Sequence, residues 1–175
     1  MAKPVSRVPG PDVLPGGSWY EPKWDGFRVA ASVSDSGVTI WSRQGKDLTR
    51  YFPDLAAALQ DQVPPGCVID GEAIIWTGDR LDFNALQQRM VTGRKALPAF
   101  VQERPASFAA FDVLAVAGHD TRDLALTDRR ALLEELAAGW VPPLNLSPVT
   151  ADYGTALEWF EDFPPTGIGG LVVKG

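Results

Sequence analysis

The sequence predicts an α+β domain with antiparallel-rich sheets and interspersed helices. Segments rich in β-branched and aromatic residues are joined by short turns typical of hairpins. The helical segments fall irregularly between these strands, which argues against a doubly wound parallel sheet. The chain has 175 residues, of which 45% are hydrophobic, enough to bury one core. We therefore expect an irregular N-terminal arm over residues 1–18 and a single domain over residues 19–175.

The sequence of the first half of the domain predicts a hairpin, a helix, a long strand and a short helix. A DSG turn separates the first two strands, and a PPG sequence ends the first helix. Asp82 is the expected N-cap of the second helix. The predicted elements are strands over 27–34 (FRVAASVS) and 38–43 (VTIWSR), a helix over 52–63, a strand over 67–76 (CVIDGEAIIW) and a helix over 82–90.

The second half predicts an irregular, partly basic stretch followed by strands and helices. Thr127 and Gly139 are the expected N-cap and C-terminal stop of its main helix. The predicted elements are irregular structure over 91–105, a largely buried strand over 107–118, a helix over 127–139, a short helix over 153–163 and a strand over 169–175 that reaches the end of the chain.

Composition excludes several classes of protein. The net charge is −6 and the isoelectric point is about 4.7, so the field of the whole molecule does not attract nucleic acid. The single Cys67 excludes an internal disulfide, and the single His119 leaves no His/Cys cluster for zinc. The sequence has no signal-peptide core and no apolar run of about 18 residues. We expect a cytoplasmic protein that does not enter a membrane.

The segment EPKWDGFR, residues 21–28, places Lys23 between an acidic residue and a tryptophan. Lys23 is either a surface cation beside an ordinary turn or a nucleophile, and the segment alone does not decide. A lysine amine must lose its proton before it attacks, which requires desolvation or cationic neighbours. Arg28, Arg43 and Lys46 are candidate neighbours. We expect hydrogen bonds within the turn, rather than Lys23, to engage Asp25.

Other candidate residues have equally ordinary alternatives. Asp70 and Glu72 are two apart in a predicted strand and share a face, where they suit a hard cation, a ribose hydroxyl or simply a polar surface. Phe111 is by default a core residue and becomes a stacking platform only beside a nucleotide. Arg43 and Lys46 near a hairpin edge are consistent with a solvated face.

Five segments in this order resemble the nucleotidyltransferase (ATP-grasp-like) domain of ATP-dependent DNA ligases, especially the compact bacterial type. The resemblance runs from about Trp19 to Gly175. The block around Phe111 and the sequence FNALQQR favour ligases over mRNA capping enzymes. The segments are EPKWDGFR, SRQGKDLT, DGEAII, FAAFDVL and GGLVVKG.

The resemblance implies covalent nucleotidyl transfer. By similarity, Lys23 would attack the α-phosphate of ATP and form lysyl-AMP, AMP would pass to the 5′-phosphate of a DNA nick, and the 3′-hydroxyl would displace it. Mg²⁺ would accompany the phosphates, with Glu72 as the main protein ligand. The remaining implied ATP-binding roles are Glu21 for the adenine amino group, Arg28 and Glu72 for the ribose, Arg43 for a nucleotide or nick phosphate, Phe111 for stacking on the base and Lys174 as the lysine of the fourth block.

The sequence departs from the family pattern near its end. Gly169-Gly170 stands where the family has Glu-Gly, so a carboxylate expected to bind metal is missing. The chain also ends before the family's next block, its last strands and its OB-fold domain. We expect this piece alone to bind nicked double-stranded DNA weakly. The alternative reading is a truncated, non-catalytic remnant that binds nucleotide without chemistry.

Overall fold

Strands and helices occupy most of the computed structural model, which describes residues 3–175. The strands are β1 (Trp19–Pro22), β2 (Phe27–Ser34), β3 (Gly37–Ser42), β4 (Cys67–Thr77), β5 (Arg80–Leu81), β6 (Ala106–Val116), β7 (His119–Asp120), β8 (Leu144–Leu146) and β9 (Leu171–Lys174). The helices are α1 (Pro53–Gln62), α2 (Phe83–Val91), α3 (Leu97–Glu103), α4 (Leu126–Ala137) and α5 (Tyr153–Asp162).

Two sheets organise these elements. The larger has seven strands with the central order β3-β2-β4-β6-β7, while β5 pairs with β4 and β8 pairs with β6. The smaller sheet pairs β1 with β9. The ladder between β6 and β8 is parallel and the other ladders are antiparallel. The predicted α+β fold with antiparallel-rich sheets is confirmed.

Strand alternation separates a core face from a polar face on the larger sheet. Because successive side chains of a strand point to opposite faces, Arg28, Asp70 and Glu72 lie on the side away from the core cluster. That cluster includes Leu55 of α1 and Leu133 of α4. From β2 and β4 it takes Val29, Ala31, Val33, Cys67, Ile69, Ala73 and Ile75.

Several predicted elements form as expected. In the β2–β3 hairpin Ser34 pairs with Gly37, which leaves Asp35 and Ser36 as a two-residue turn. Asp82 caps α2, and its carboxylate accepts a hydrogen bond from the backbone N–H of Ala85 at 3.0 Å. The predicted helix over 153–163 and the strand over 169–175 correspond to α5 and β9.

The prediction of irregular structure over 91–105 was wrong, because α3 lies within it. Pro98 reads as a breaker in the sequence, yet it falls in the first turn of this helix, where a missing N–H costs nothing. Leu97 is buried and Phe100 packs against the core. Tertiary packing therefore holds a helix that has little sequence signal of its own.

The predicted ends of α4 were also wrong. Ala125 is its N-cap and offers no side-chain bond, so Thr127 lies inside the first turn. The carbonyl of Ala125 accepts the N–H groups of Asp128 and Arg129, each at 3.0 Å. The helix ends at Ala137, and the next residue keeps right-handed helical angles. Gly139 is not among the described glycines with a positive φ, so it does not act as a left-handed stop.

Residues 3–18 contain neither helix nor strand and lie against β1 and α5. The hydroxyl of Tyr20 donates to the carbonyl of Pro9 at 2.7 Å, and that of Tyr153 donates to Val8 at 3.2 Å. Within residues 3–175, no helix has both the length and the apolar character needed to cross a bilayer.

Candidate active site

Lys23 follows β1 directly and is exposed. Its backbone N–H donates to the carbonyl of Gly170 at 2.8 Å, and its carbonyl accepts the N–H of Gly169 at 2.9 Å. These bonds extend the β1–β9 pairing and fix where the side chain emerges. Among the described residues, no ion pair joins Lys23 to Asp25 and no hydrogen bond involves the Asp25 carboxylate. The expected bonds of Asp25 within the turn are therefore not formed.

Gly26 explains the Asp-Gly sequence after Lys23. A Cβ at this position would overlap the carbonyl oxygen of Ala73 in β4 and would lie 2.8 Å from Cγ2 of Ile74. Contacts this close do not occur for real side chains, so the loop after Lys23 can lie on β4 only with glycine here. The glycine permits close approach and thereby places Lys23 beside the larger sheet.

Glu21 and Lys174 form an ion pair across the β1–β9 ladder. Nζ of Lys174 lies 2.7 Å from Oε2 of Glu21, and the Glu21 side chain is only 5% exposed. Burial raises the pKa of Glu21, and the attraction and hydrogen bond of Lys174 oppose that rise. The same ammonium lies 4.8 Å from the ring centre of Phe111. Three residues predicted to bind ATP thus meet in one cluster.

Phe111 is the extra residue of a β-bulge. Asp70 faces Asp112 and Gly71 faces Ala110, so Phe111 faces no residue of β4. Bulges redirect side chains and are common beside active sites. The half-buried ring has the guanidinium carbon of Arg28 5.5 Å from its centre, in addition to Lys174.

Arg28 lies among carboxylates on the polar face of the larger sheet. Its Nη2 donates to Oδ2 of Asp70 at 2.8 Å and its Nε donates to Oδ1 at 3.3 Å. Glu72 is the residue opposite Arg28 in the β2–β4 ladder. Burial raises the pKa of Glu72 to about 7, with attraction by Arg28 opposing the rise and repulsion by Asp70 and Asp25 adding to it. Glu72 is therefore partly protonated at neutral pH.

Arg43 follows β3 and opens onto two grooves. A groove of about 410 Å³ is lined by Arg28, Arg43, Lys46 and Glu72 among others, and one of about 340 Å³ by Arg28, Arg43 and Asp70. A smaller cavity of about 160 Å³ beside Glu21 and Phe111 is lined also by Arg130. Concave surfaces of the structure are therefore lined by five of the residues predicted to bind ATP: Glu21, Arg28, Arg43, Glu72 and Phe111.

Few side chains near the candidate site could serve as ligands for Mg²⁺. Among residues 3–175, no group of three or more His, Cys, Asp or Glu side chains is arranged to hold a metal ion. Asp70 is engaged by Arg28, and Gly169 supplies no side chain. Mg²⁺ in nucleotide sites commonly takes one or two carboxylates and completes its shell with phosphates and water. Glu72, which forms no ion pair within the described residues, fits that mode as one ligand.

Sequence reasoning missed the supports behind the site. Nε1 of Trp24 donates to Oγ of Ser147 at 2.9 Å, and Nη2 of Arg130 donates to the carbonyl of Ser147 at 2.9 Å. Arg130 also pairs with Glu134 one turn later in α4. The spacing of Arg130 and Glu134 is a visible sequence signal, whereas nothing in the sequence singles out Ser147.

Comparison with known families gives a match over nearly the whole chain. A family model described as the ATP dependent DNA ligase domain matches residues 10–175. The chain is 39% identical over 174 residues to DNA ligase C2 of Mycolicibacterium smegmatis, covering 99% of this chain and 48% of that protein. The chain spans about half the length of the curated relatives it matches.

Solved structures agree with the sequence match. The crystal structure of the ligase domain from M. tuberculosis LigD gives a TM-score of 0.68 at 28% identity, over 90% of this chain and 48% of that one. A mycobacterial DNA ligase D complexed with ATP and MES gives 0.66 at 27% identity, with coverage of 90% and 48%.

Proposed function

Because the chain belongs to the ATP-dependent DNA ligase domain family, we propose that it is an adenylation domain whose Lys23 carries AMP. One observation supports this most directly: Lys23 lies two residues after Glu21 in the chain, and Glu21, Lys174, Phe111 and Arg28 follow one another in contact. That row offers an acceptor, an aromatic ring and cations, which together suit a nucleotide.

In the first step Nζ of Lys23 attacks the α-phosphorus of ATP. A nitrogen–phosphorus bond forms, the bond to the bridging oxygen breaks, and pyrophosphate leaves. Nζ gives up two protons in forming the phosphoramidate, one before it attacks and one afterwards, and both pass to solvent, to which Lys23 is exposed. A covalent intermediate divides one difficult condensation into two easier transfers.

The surrounding residues bind and orient the nucleotide. The carboxylate of Glu21 accepts a hydrogen bond from the adenine amino group, and the ring of Phe111 stacks on the base. Arg28 and Glu72 bind the ribose. Arg43 binds a phosphate of the nucleotide or of the nick, and Lys174 is a further ATP-binding residue. Arginine suits its two positions because its planar donors are always charged. When bound, Mg²⁺ held in part by Glu72 would neutralise phosphate charge.

In the whole ligase, AMP would then move from Lys23 to the 5′-phosphate of nicked double-stranded DNA, and the 3′-hydroxyl would displace it. Sealing of nicks in repair and recombination is the cellular role we assign to that reaction. A second candidate is a nucleotide-binding remnant without chemistry. Gly169 favours it, because a side chain here would lie 3.9 Å from Cδ of Lys23 and glycine places no carboxylate there.

The test is intact mass spectrometry of the purified chain after incubation with ATP and Mg²⁺. We expect an acid-stable adduct of one AMP in the wild type and none in Lys23→Ala. Lys95→Ala removes an exposed lysine outside the grooves and should retain the adduct. An adduct on Lys23→Ala would exclude Lys23 as the nucleophile. No adduct on a folded wild type would favour the non-catalytic remnant.

A further inference from the structure

Lys23 lies between two hydrogen-bonded contacts that join the same two chain segments. On one side, the backbone N–H of Tyr20 donates to the carbonyl of Thr150 at 2.8 Å, and the N–H of Thr150 donates to the carbonyl of Tyr20 at 3.0 Å. On the other side, Nε1 of Trp24 donates to Oγ of Ser147 at 2.9 Å. The segment that carries Lys23 is therefore held by the segment after β8 both before and after the lysine.

Ser147 is itself fixed to the larger sheet and to α4. Its backbone N–H donates to the carbonyl of Ala110 at 2.8 Å, and its carbonyl accepts a hydrogen bond from Nη2 of Arg130 at 2.9 Å. Ser147 is only 1% exposed, so its hydroxyl is shielded from water. Ala110 directly precedes Phe111 in β6. One buried serine thus connects the residue after Lys23 with the residue before Phe111.

From these contacts, and resting on the proposed function, we propose that Ser147 is a positioning residue that aligns the Lys23 amine with the α-phosphate of the nucleotide. The backbone of Lys23 is bonded to the segment before β9, whereas Phe111 belongs to the larger sheet. The hydrogen bond from Trp24 to Ser147 fixes one of these parts against the other. Alignment matters because attack on phosphorus requires the amine at about 3 Å and in line with the leaving pyrophosphate.

A purely structural role for Ser147 makes a different prediction. A serine that only stabilises the fold raises the free energy of unfolding and has no effect on the reactivity of the folded protein. A positioning serine also raises the rate of attack within the bound complex. Ser147→Ala keeps both backbone bonds of the residue, and Trp24 keeps its edge-to-face contact with Trp76, whose ring centre is 6.3 Å away. The nucleotide-binding side chains therefore stay in place, while the loop after Lys23 is no longer fixed.

The first test measures the rate of AMP transfer to Lys23 by quenched flow and intact mass spectrometry over a range of ATP concentrations. For Ser147→Ala we expect a rate at saturating ATP about tenfold lower, as for one lost hydrogen bond that aligns the reacting groups. The ATP concentration that gives half the maximal rate should change by less than about twofold, because binding is retained. Ser147→Thr keeps the hydroxyl and should restore most of the rate.

Thr121→Val is the matched control. Thr121 is also buried, and its hydroxyl donates to the carbonyl of Val113 at 2.8 Å. The variant loses a buried hydroxyl bond as Ser147→Ala does, so urea denaturation should show a similar loss of stability. Its rate of AMP transfer should equal that of the wild type. A rate loss in Thr121→Val that matches Ser147→Ala would assign the effect to general destabilisation and overturn the proposal.

A double-mutant cycle tests whether the hydroxyl acts through Trp24. Trp24→Phe removes the indole N–H and keeps an aromatic ring. In that background Ser147→Ala should lower the rate by less than about twofold, because the hydrogen bond is already absent. A loss of about tenfold in both backgrounds would show that the hydroxyl does not act through Trp24, which contradicts the proposed positioning.

Backbone NMR relaxation follows the loop without any chemistry. In the wild type, the amides of Trp24 and Asp25 should have order parameters of about 0.85, typical of rigid backbone. In Ser147→Ala these values should fall towards about 0.6, while that of Tyr20, held by Thr150, should not change. Unchanged order parameters for Trp24 and Asp25 would overturn the proposal whatever the rate.

The AMP adduct keeps this proposal distinct from the proposed function. An adduct that forms equally fast in wild type and Ser147→Ala overturns the positioning alone. Increased loop motion in Ser147→Ala, without an adduct in the wild type, supports the positioning of Lys23 and removes the chemistry. If neither an adduct nor a change in loop motion is found, both proposals are overturned.

Discussion

At the scale of single residues, Glu72 is the titratable group most altered by the fold. Burial raises its pKa from the ordinary value of 4.5 to about 7. The folded state therefore binds this proton more tightly than the unfolded chain does. The resulting stabilisation is complete below pH 4.5 and is lost as pH rises through about 7.

Glu72→Gln should remove this pH dependence. The variant has no charge to bury, whereas the wild type loses stability as Glu72 ionises. Between pH 5 and pH 8 the free energy of unfolding of the variant minus that of the wild type should therefore rise by about 2 kcal/mol. Urea denaturation at both pH values measures the difference. Glu161→Gln, at an exposed position, is the matched control and should show no such change. Equal profiles for Glu72→Gln and wild type would mean that Glu72 ionises normally.

Gly169 offers a second residue-level test, because its position accepts a side chain. A Cβ there would lie 3.7 Å from the carbonyl oxygen and 3.9 Å from Cδ of Lys23, which are ordinary contacts. Gly169→Glu should therefore fold normally and bind Mg²⁺ more tightly, by about tenfold for one added carboxylate ligand. Calorimetry with MgCl₂ in the presence of ATP measures the change.

Gly169→Gln has the same size without the charge and should bind Mg²⁺ as the wild type does. If both variants bind Mg²⁺ more tightly by the same factor, the added carboxylate is not the cause. If neither binds Mg²⁺ more tightly, the missing glutamate does not limit the affinity of the metal site.

At the scale of elements, the loop after β1 depends on Gly26. The carbonyl of Ala73 in β4 blocks any Cβ at this position, and a strand backbone cannot move aside as a flexible side chain can. Gly26→Ala should destabilise the fold by about 3 kcal/mol, as overpacking against fixed atoms does. Gly93→Ala is the control, because nothing lies within 4 Å of a Cβ there. Equal urea midpoints for the two variants would contradict this account.

Local signals predicted the elements that local interactions hold. The β2–β3 hairpin has a two-residue turn, and Asp82 caps α2 through its own carboxylate; both are visible in short stretches of sequence. By contrast, α3 rests on the burial of Leu97, which only the assembled fold provides. The failure at residues 91–105 is a case of packing overriding propensity.

The sequence predicted which residues belong to the candidate site, but it did not predict the contacts between their side chains. Family resemblance selected Glu21, Phe111 and Lys174, yet no sequence pattern says that the lysine pairs with the glutamate at 2.7 Å. Arg89 shows the same limit. It is fully buried and forms two hydrogen bonds to Asp54, which is distant in the chain. Contacts between distant segments depend on the register and packing of the whole sheet.

At the scale of the whole molecule, the smaller sheet and the larger sheet contribute different parts of the site. The β1–β9 ladder supplies Glu21 and Lys174 and positions Lys23. The larger sheet supplies Phe111 and Arg28, together with the carboxylates of Asp70 and Glu72. The hydrogen bond from Trp24 to Ser147 ties the loop after Lys23 to the segment after β8. Relative movement of the two sheets would therefore change the candidate site.

The charge of the whole molecule sets its expected behaviour with DNA. The net charge is −6, and duplex affinity derives largely from the neutralisation of phosphates by cations. We expect this chain to bind a nicked duplex with a dissociation constant no tighter than about 10 μM at 0.15 M salt, with a shallow salt dependence reflecting about two phosphate contacts.

Fluorescence anisotropy at several salt concentrations measures both quantities. Arg43 and Lys46 line the open groove beside Glu72 and are the cations best placed to meet phosphate, so Arg43→Ala should reduce the salt slope by about one contact. Arg122 is engaged by Asp120 at 2.6 Å outside that groove, and Arg122→Ala should leave the slope unchanged. A submicromolar dissociation constant or a steep slope would show that a basic surface on this chain outweighs its acidic total. The groove beside Arg43 would then be the first place to look for it.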